Sequence, residues 1–239
     1  MKKALPFLLL LASAACKKSA DSPAINDTRI QSWAVPGSIS ETYEYDSKNR
    51  LTKATYSGYD QNTLYTYTDS MVTERIYKTS TGAATYTFIY KLNNKGLAVS
   101  RVDTAVADDA FNYEYNTDGY LTRNEEIQPS TGHVWSDYRS HYTNNVLDST
   151  SLYRQNVWTL GYYYQYYTDK INSLENPNYG CAFLGRQFRL PEKMVVRWSP
   201  TFTDTTRYSY NFDAKQNISQ QMTLSPGATV PQTVNYTYR

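Results

Sequence analysis

Along most of this chain apolar and polar residues alternate with a period of two, the signature of strands with one buried face. Tyr86, Phe88, Tyr90 and Leu92 share one side of such a run, and Thr85, Thr87 and Lys91 share the other. Phe111, Tyr113 and Tyr115 oppose Asn112 and Glu114, and farther on Trp158, Leu160, Tyr162, Tyr164 and Tyr166 align. Turn formers separate the runs at Asp46 to Asn49, Asn93 to Gly96 and Asn116 to Gly119. Asn, Asp and Gly tolerate the positive φ that tight hairpins require.

The runs also repeat. Units open at Tyr43, Tyr65, Phe88 and Tyr113, spaced by 22, 23 and 25 residues, and looser copies begin near Tyr138, Tyr162 and Tyr208. Each period has the length of two strands and two turns. The pattern predicts an all-β fold, an antiparallel up-and-down meander of about 14 strands built from hairpin repeats. A single flat sheet would leave its aromatic face wet, so the meander is expected to curl into a barrel or half-barrel.

One stretch breaks the alternation, from about 171 to 195. Asn176-Pro177-Asn178-Tyr179-Gly180 and Leu190-Pro191 are turn chemistry, and Cys181, Phe183, Leu184 and Phe188 between them are apolar. A segment this long is either a functional lid or has a packing role of its own. Its apolar residues need burial, which favours a plug filling the end of the curled sheet.

The first residues follow a different logic. Lys2 and Lys3 precede a short apolar run, Leu5 to Ala12, too short to span a bilayer, and Ser13-Ala14-Ala15-Cys16 follows. This end resembles a bacterial lipobox, which implies a signal peptide over 1–15 and acylation of Cys16. Residues 16–30, rich in Lys, Ser, Asp and Pro, read as a lipidated flexible tether. The remaining 31–239 reads as a single β-repeat domain. Cys16-Lys17-Lys18 is similar to the start of mature lipoproteins of the Bacteroidota.

The segments 43–53 and 113–123 resemble the YD-type repeat of bacterial Rhs and teneurin-like proteins, carried by Asn49-Arg50-Leu51 and Gly119-Tyr120-Leu121 after their Tyr-x-Tyr pairs. Asn176-Pro177 and Leu190-Pro191-Glu192-Lys193 resemble landmarks of an uncharacterised family of Bacteroidota lipoproteins described as porin-like in fold. That resemblance covers about 30–239 and implies a fold and an envelope location, without an activity.

Composition sharpens the picture. The chain has 239 residues with 25 Tyr, 4 Trp and 7 Phe, so tyrosine supplies much of the core area. Loss of 1–15 would remove Lys2 and Lys3 and leave 22 basic against 22 acidic side chains. Such balance excludes the basic stripe of a nucleic-acid binder. Two Cys and two His leave little scope for a metal site, and no cofactor motif is present.

Catalytic patterns are weak. Glu125 and Glu126 are neighbours on a strand and should face opposite ways, Asp108-Asp109 falls in a loop, and His133 and His141 flank a turn. No nucleophile motif accompanies them. With Cys16 lipidated, Cys181 is an unpaired thiol, expected to be structural.

Aromatic side chains can also stack on sugar rings. Trp135, Trp158, Tyr163 and Tyr167 are the candidate ligand-facing positions, the two tyrosines by alternation opposite Tyr162, Tyr164 and Tyr166. A transmembrane pore would need an outward apolar band, whereas the second faces carry Thr, Ser, Lys, Arg, Asn and Glu. The expectation is a monomeric, non-enzymatic protein held to the outer membrane by lipid, with a binding or scaffolding role toward a glycan or another envelope protein. The alternatives are a carboxylate-dependent glycan hydrolase and a purely structural or adhesive shell.

Overall fold

A computed structural model describes residues 29–239 apart from 107, 168, 171, 187–189 and 200. The predicted signal, Cys16 and nearly all of the tether lie outside the described residues. The first eight strands are β1 (Ile30–Ala34), β2 (Ser40–Tyr45), β3 (Leu51–Ser57), β4 (Asn62–Tyr67), β5 (Met71–Tyr77), β6 (Ala84–Leu92), β7 (Ala98–Asp103) and β8 (Ala110–Tyr115). The others are β9 (Leu121–Gln128), β10 (His133–Thr143), β11 (Val146–Arg154), β12 (Val157–Tyr166), β13 (Pro191–Arg197), β14 (Thr203–Phe212), β15 (Ile218–Leu224) and β16 (Gln232–Tyr238). Every strand pairs antiparallel with its neighbours in the chain, and β1 pairs with β16, so the sheet is a closed barrel. Sixteen strands stand against the expected 14 or so, and closure removes the edges that a half-barrel would expose.

The repeat is a hydrogen-bond device. Asp46, Asn93, Asn116 and Asp213 each accept, through Oδ1, from the backbone N–H groups two and four residues on. The turn this makes puts Asn49 at φ 60° and Gln216 at φ 65°. At five strand ends, two of them before these turns, an inward tyrosine adds a further bond. Tyr45, Tyr67, Tyr142, Tyr210 and Tyr238 donate their hydroxyls to the carbonyls of Ile30, Leu51, Leu121, Pro191 and Ile218, at 2.5–3.0 Å. Each acceptor is the first residue of the strand before the tyrosine's own. This is why the fold uses tyrosine where phenylalanine would fill the same space: buried polar backbone at the strand ends needs a donor.

A sixteen-stranded barrel is too wide for its own side chains to fill. The segment 172–186 fills one end. Its backbone is tied to the wall through Ile30 N–H to Asn178 O, Leu51 N–H to Gly180 O and Arg186 N–H to Gly119 O. At Gly180, φ 78°, a Cβ would lie 2.5 Å from the Leu51 nitrogen, so only glycine lets the two chains approach. A single 3-10 turn, Ala182–Leu184, drives Phe183 into a cluster of Val72, Tyr90 and Ala98, where it is 5% exposed. Phe183 meets Tyr90 and Tyr67 edge-on, with ring centroids 5.1 and 6.2 Å apart. The irregular segment is a plug at its described residues, as its apolar content required.

Candidate functional site

Cross-strand register sorts the charges. Tyr90 opposes Val72 and Arg101, Phe88 opposes Glu74 and Asp103, and Phe111 opposes Arg101 and Glu126. These side chains share the inward face with the aromatics packed on Phe183. On the outward face Lys53 pairs with Glu44 at 2.9 Å, Lys193 lies opposite Arg207, and Ser32 bonds Thr237 at 2.8 Å. The lumen therefore holds Glu41, Glu74, Asp103 and Glu126 with Arg101 as an inward strand cation, while most strand lysines and arginines face outward. The near-zero net charge conceals this segregation.

Two cavities occupy the space left by the plug. The inner one, about 600 Å³, lies on the plug and is lined by tyrosines together with Glu41, Cys181 and Met194. Glu41 is 7% exposed and accepts from Trp33 Nε1 at 2.6 Å and from the Tyr43 hydroxyl at 2.9 Å. Glu74 accepts from the hydroxyls of Tyr65 and Tyr90 at 3.0 and 2.7 Å. Burial raises the phenols of Tyr43 and Tyr65 far above their ordinary value, and the nearby carboxylates add to it. Burial, with the charges of Glu74 and Glu41, pushes the Cys181 thiol up to about 12. It is neutral at physiological pH and a poor nucleophile, in keeping with the structural role expected for it.

The second cavity, about 590 Å³, is at the other end and is lined by Val106, Asp108, Asp109, Glu126, Trp135, Ser136, Tyr138 and Arg154. Trp135 stands in the bulge where β10 shifts register against β9, is 49% exposed, and has the His133 ring edge-on at 4.4 Å. The bulge takes the indole out of the strand alternation and aims it at the mouth. Glu126 accepts from Ser136 Oγ at 2.7 Å. Asp108 is fixed by the Ser130 N–H and hydroxyl at 2.8 and 2.6 Å, which ties the β7–β8 loop to the β9–β10 turn. Those bonds lower its pKa. Asp60 does the same work two hairpins earlier, held down to about 2 by the Ser80 and Thr79 hydroxyls.

Asp109 differs from its neighbour. Its Oδ1 is buried with no hydrogen-bond partner among the described residues, and its pKa is raised by burial and by the charge of Glu126. Arg101 is stacked between Phe88 and Phe111, with its guanidinium carbon 4.7 and 3.9 Å from the ring centroids. Its Nε is likewise buried without a partner among the described residues. Asp109 lines the second cavity with Trp135, whereas Arg101 does not.

Of the four aromatics expected to face a ligand, only Trp135 lines this mouth. Trp158 is half-buried opposite Tyr153 in the β11–β12 ladder. Tyr163 is 40% exposed on the outer wall, with Arg197 5.7 Å from its ring centroid. Tyr167 does not share its face. β12 ends at Tyr166, the chain turns toward the plug, and the Tyr167 hydroxyl donates to Tyr208 O at 3.3 Å. His141 approaches Asp148 at 3.7 Å on an exposed side chain and does not meet His133. Glu125 and Glu126 do face opposite ways, Glu125 accepting from Arg123 at 2.6 Å. Sequence reading passed over Asp109 and Arg101. The inward parity of Arg101 with Phe88 and Phe111 would have revealed it only once the pairing register was known. No group of three or more metal-ligating side chains occurs among the described residues.

No protein-family model matches the sequence, and no curated protein matches it. The fold is shared with solved structures. A porin-like protein from Bacteroides uniformis is 21% identical with a TM-score of 0.66, over 88% of this chain and 96% of that one. The chain has a porin-like barrel fold. A second porin-like protein, from Bacteroides vulgatus, is 12% identical with a TM-score of 0.51, over 89% of this chain and 99% of that one.

Proposed function

We propose that this chain is a lipid-anchored envelope protein of a Gram-negative bacterium that binds glycan at the mouth of its barrel and catalyses no reaction. The observation that carries the reading is the mouth pocket, whose lining the exposed Trp135 indole shares with Asp109, Glu126, Ser136, Tyr138 and Arg154. An indole face packs against the C–H faces of a sugar ring, and the surrounding carboxylates, hydroxyls and guanidinium exchange hydrogen bonds with its hydroxyls. The pocket volume is in the range of small-molecule sites.

The outer wall argues for a water-facing barrel. Each Lys or Arg facing lipid at mid-membrane costs about 2–4 kcal/mol, and Lys53, Lys193 and Arg207 face outward together with rows of Thr and Ser. Anchoring then falls to acyl chains on Cys16.

A second reading, a glycan hydrolase, rests on one observation: Asp109 and Glu126 share the pocket, and burial together with the charge of Glu126 raises the Asp109 carboxyl, the direction a general acid needs. A glycan array comparing the protein with Trp135→Ala decides among these. Binding that the substitution weakens by roughly tenfold or more, with no release of reducing ends from the bound glycan, supports the binding protein. Release that Asp109→Asn abolishes supports the hydrolase, and silence on the array contradicts both.

A further inference from the structure

We propose that the inner cavity is a second binding site, for a small quaternary ammonium ion. Tyr43, Tyr65, Tyr164, Tyr179, Tyr208 and Tyr210 line about 600 Å³, closed on one side by the plug residues Leu174, Cys181 and Leu184. A cavity of this size, with six tyrosines and several aliphatic residues in its lining, is in the range of a small-molecule site. Among the described residues its one charged lining group is Glu41. Glu74, on the neighbouring wall, adds a second negative charge close enough to act on Cys181.

Ring faces and carboxylates together attract a cation, and they do so more strongly where water is excluded. The kind of cation follows from the hydrogen bonds. Both Glu41 and Glu74 already accept from aromatic donors, Trp33 and Tyr43 on one and Tyr65 and Tyr90 on the other. A primary ammonium needs three acceptors, and each carboxylate already shares its lone pairs with two aromatic donors. A trimethylammonium has no N–H groups to satisfy, presents methyl groups to the rings, and needs only the field of the carboxylates. Arg101, the inward strand arginine, is stacked between Phe88 and Phe111 and does not line the cavity.

The test is calorimetric titration of the protein with choline and, in parallel, with 3,3-dimethylbutan-1-ol, its neutral carbon isostere. Choline is expected to bind roughly tenfold or more tightly than the alcohol. Glu41→Gln, which keeps the shape and an acceptor oxygen, should reduce that preference, with Glu74 and the rings supplying what remains. Equal affinities, absence of choline binding, or a preference undiminished in a folded Glu41→Gln protein would overturn the proposal. The wild-type comparison stands by itself if the variant does not fold. Because this test reads Glu41 and the glycan test reads Trp135, either site can fail without the other.

Discussion

Replacing Phe183 by alanine is expected to destabilise the barrel by about 3–5 kcal/mol, the range for removing a buried phenylalanine. For a chain of this size that corresponds to a fall in melting temperature of about 6–20 °C. The reason is the geometry of closure: a sixteen-stranded wall cannot meet itself across the lumen, so Val72, Tyr90 and Ala98 find their packing partner in the plug rather than on the opposite wall. Truncation at 183 opens a void next to a cavity already about 600 Å³ in volume, and the rigid wall has little freedom to collapse into it. A thermal melt followed by near-UV circular dichroism measures the loss. A change below about 1 kcal/mol, the size expected of a surface substitution, would mean that the plug melts independently of the barrel.

Asp137 should give the second large effect. It lies on the outward face yet its side chain is 3% exposed, covered by two arginines. Arg123 donates through Nε and Nη2, both at 2.8 Å, and Arg139 through Nε at 2.8 Å, with the Arg139 guanidinium resting 4.3 Å from the Tyr153 ring centroid. Asp137→Ala removes all of these bonds. Because both arginines are partly exposed and can rehydrate, the cost should be about 1–3 kcal/mol rather than that of a fully buried pair.

The same residue sets part of the acid response. Burial alone would raise the Asp137 carboxyl, but the hydrogen bonds and charges of Arg123 and Arg139 outweigh it and its pKa is lowered. A carboxylate depressed in the folded state contributes stability in full above its unfolded pKa, about 3.9, and loses it as pH falls through the lower folded value. Asp109 and Glu175, raised by burial, pull the other way. The diagnostic is therefore the difference between wild type and Asp137→Asn. Their melting temperatures should be well separated from pH 7 to pH 5 and should converge as the pH falls below about 3.9. A separation that persists unchanged at pH 2 would contradict the assignment.

The strands, the turns and the inward tyrosines were legible in the sequence because each is local: period two along a strand, and an Asx side chain two and four residues from the groups it binds. Closure was not, since the pairing of Ile30 with Tyr238 is a property of strand number and tilt. The plug was legible as an apolar interruption, but not its dependence on Gly180 meeting Leu51. Trp135 was chosen for its chemistry and proved to line the mouth. What places it there is a one-residue shift between β9 and β10 that no local pattern announces. Tyr167 was misplaced because alternation was carried one residue past the end of its strand. The Asp137 network was invisible because Arg123 lies fourteen residues away and reaches it only through the register of β9 against β10. The gathering of Glu41, Glu74, Asp103 and Glu126 in the lumen depends on the same register across half the barrel.

The central claim is that this is a water-facing barrel whose aromatic side is its lumen, held to the membrane only by a lipid on Cys16. Fractionation of cells expressing Cys16→Ser tests it most directly. The account predicts that the variant, folded and free of detergent, moves entirely from the membrane pellet to the soluble envelope fraction. A folded Cys16→Ser protein that stays in the membrane and needs detergent for release would place the outer wall in lipid and contradict the account.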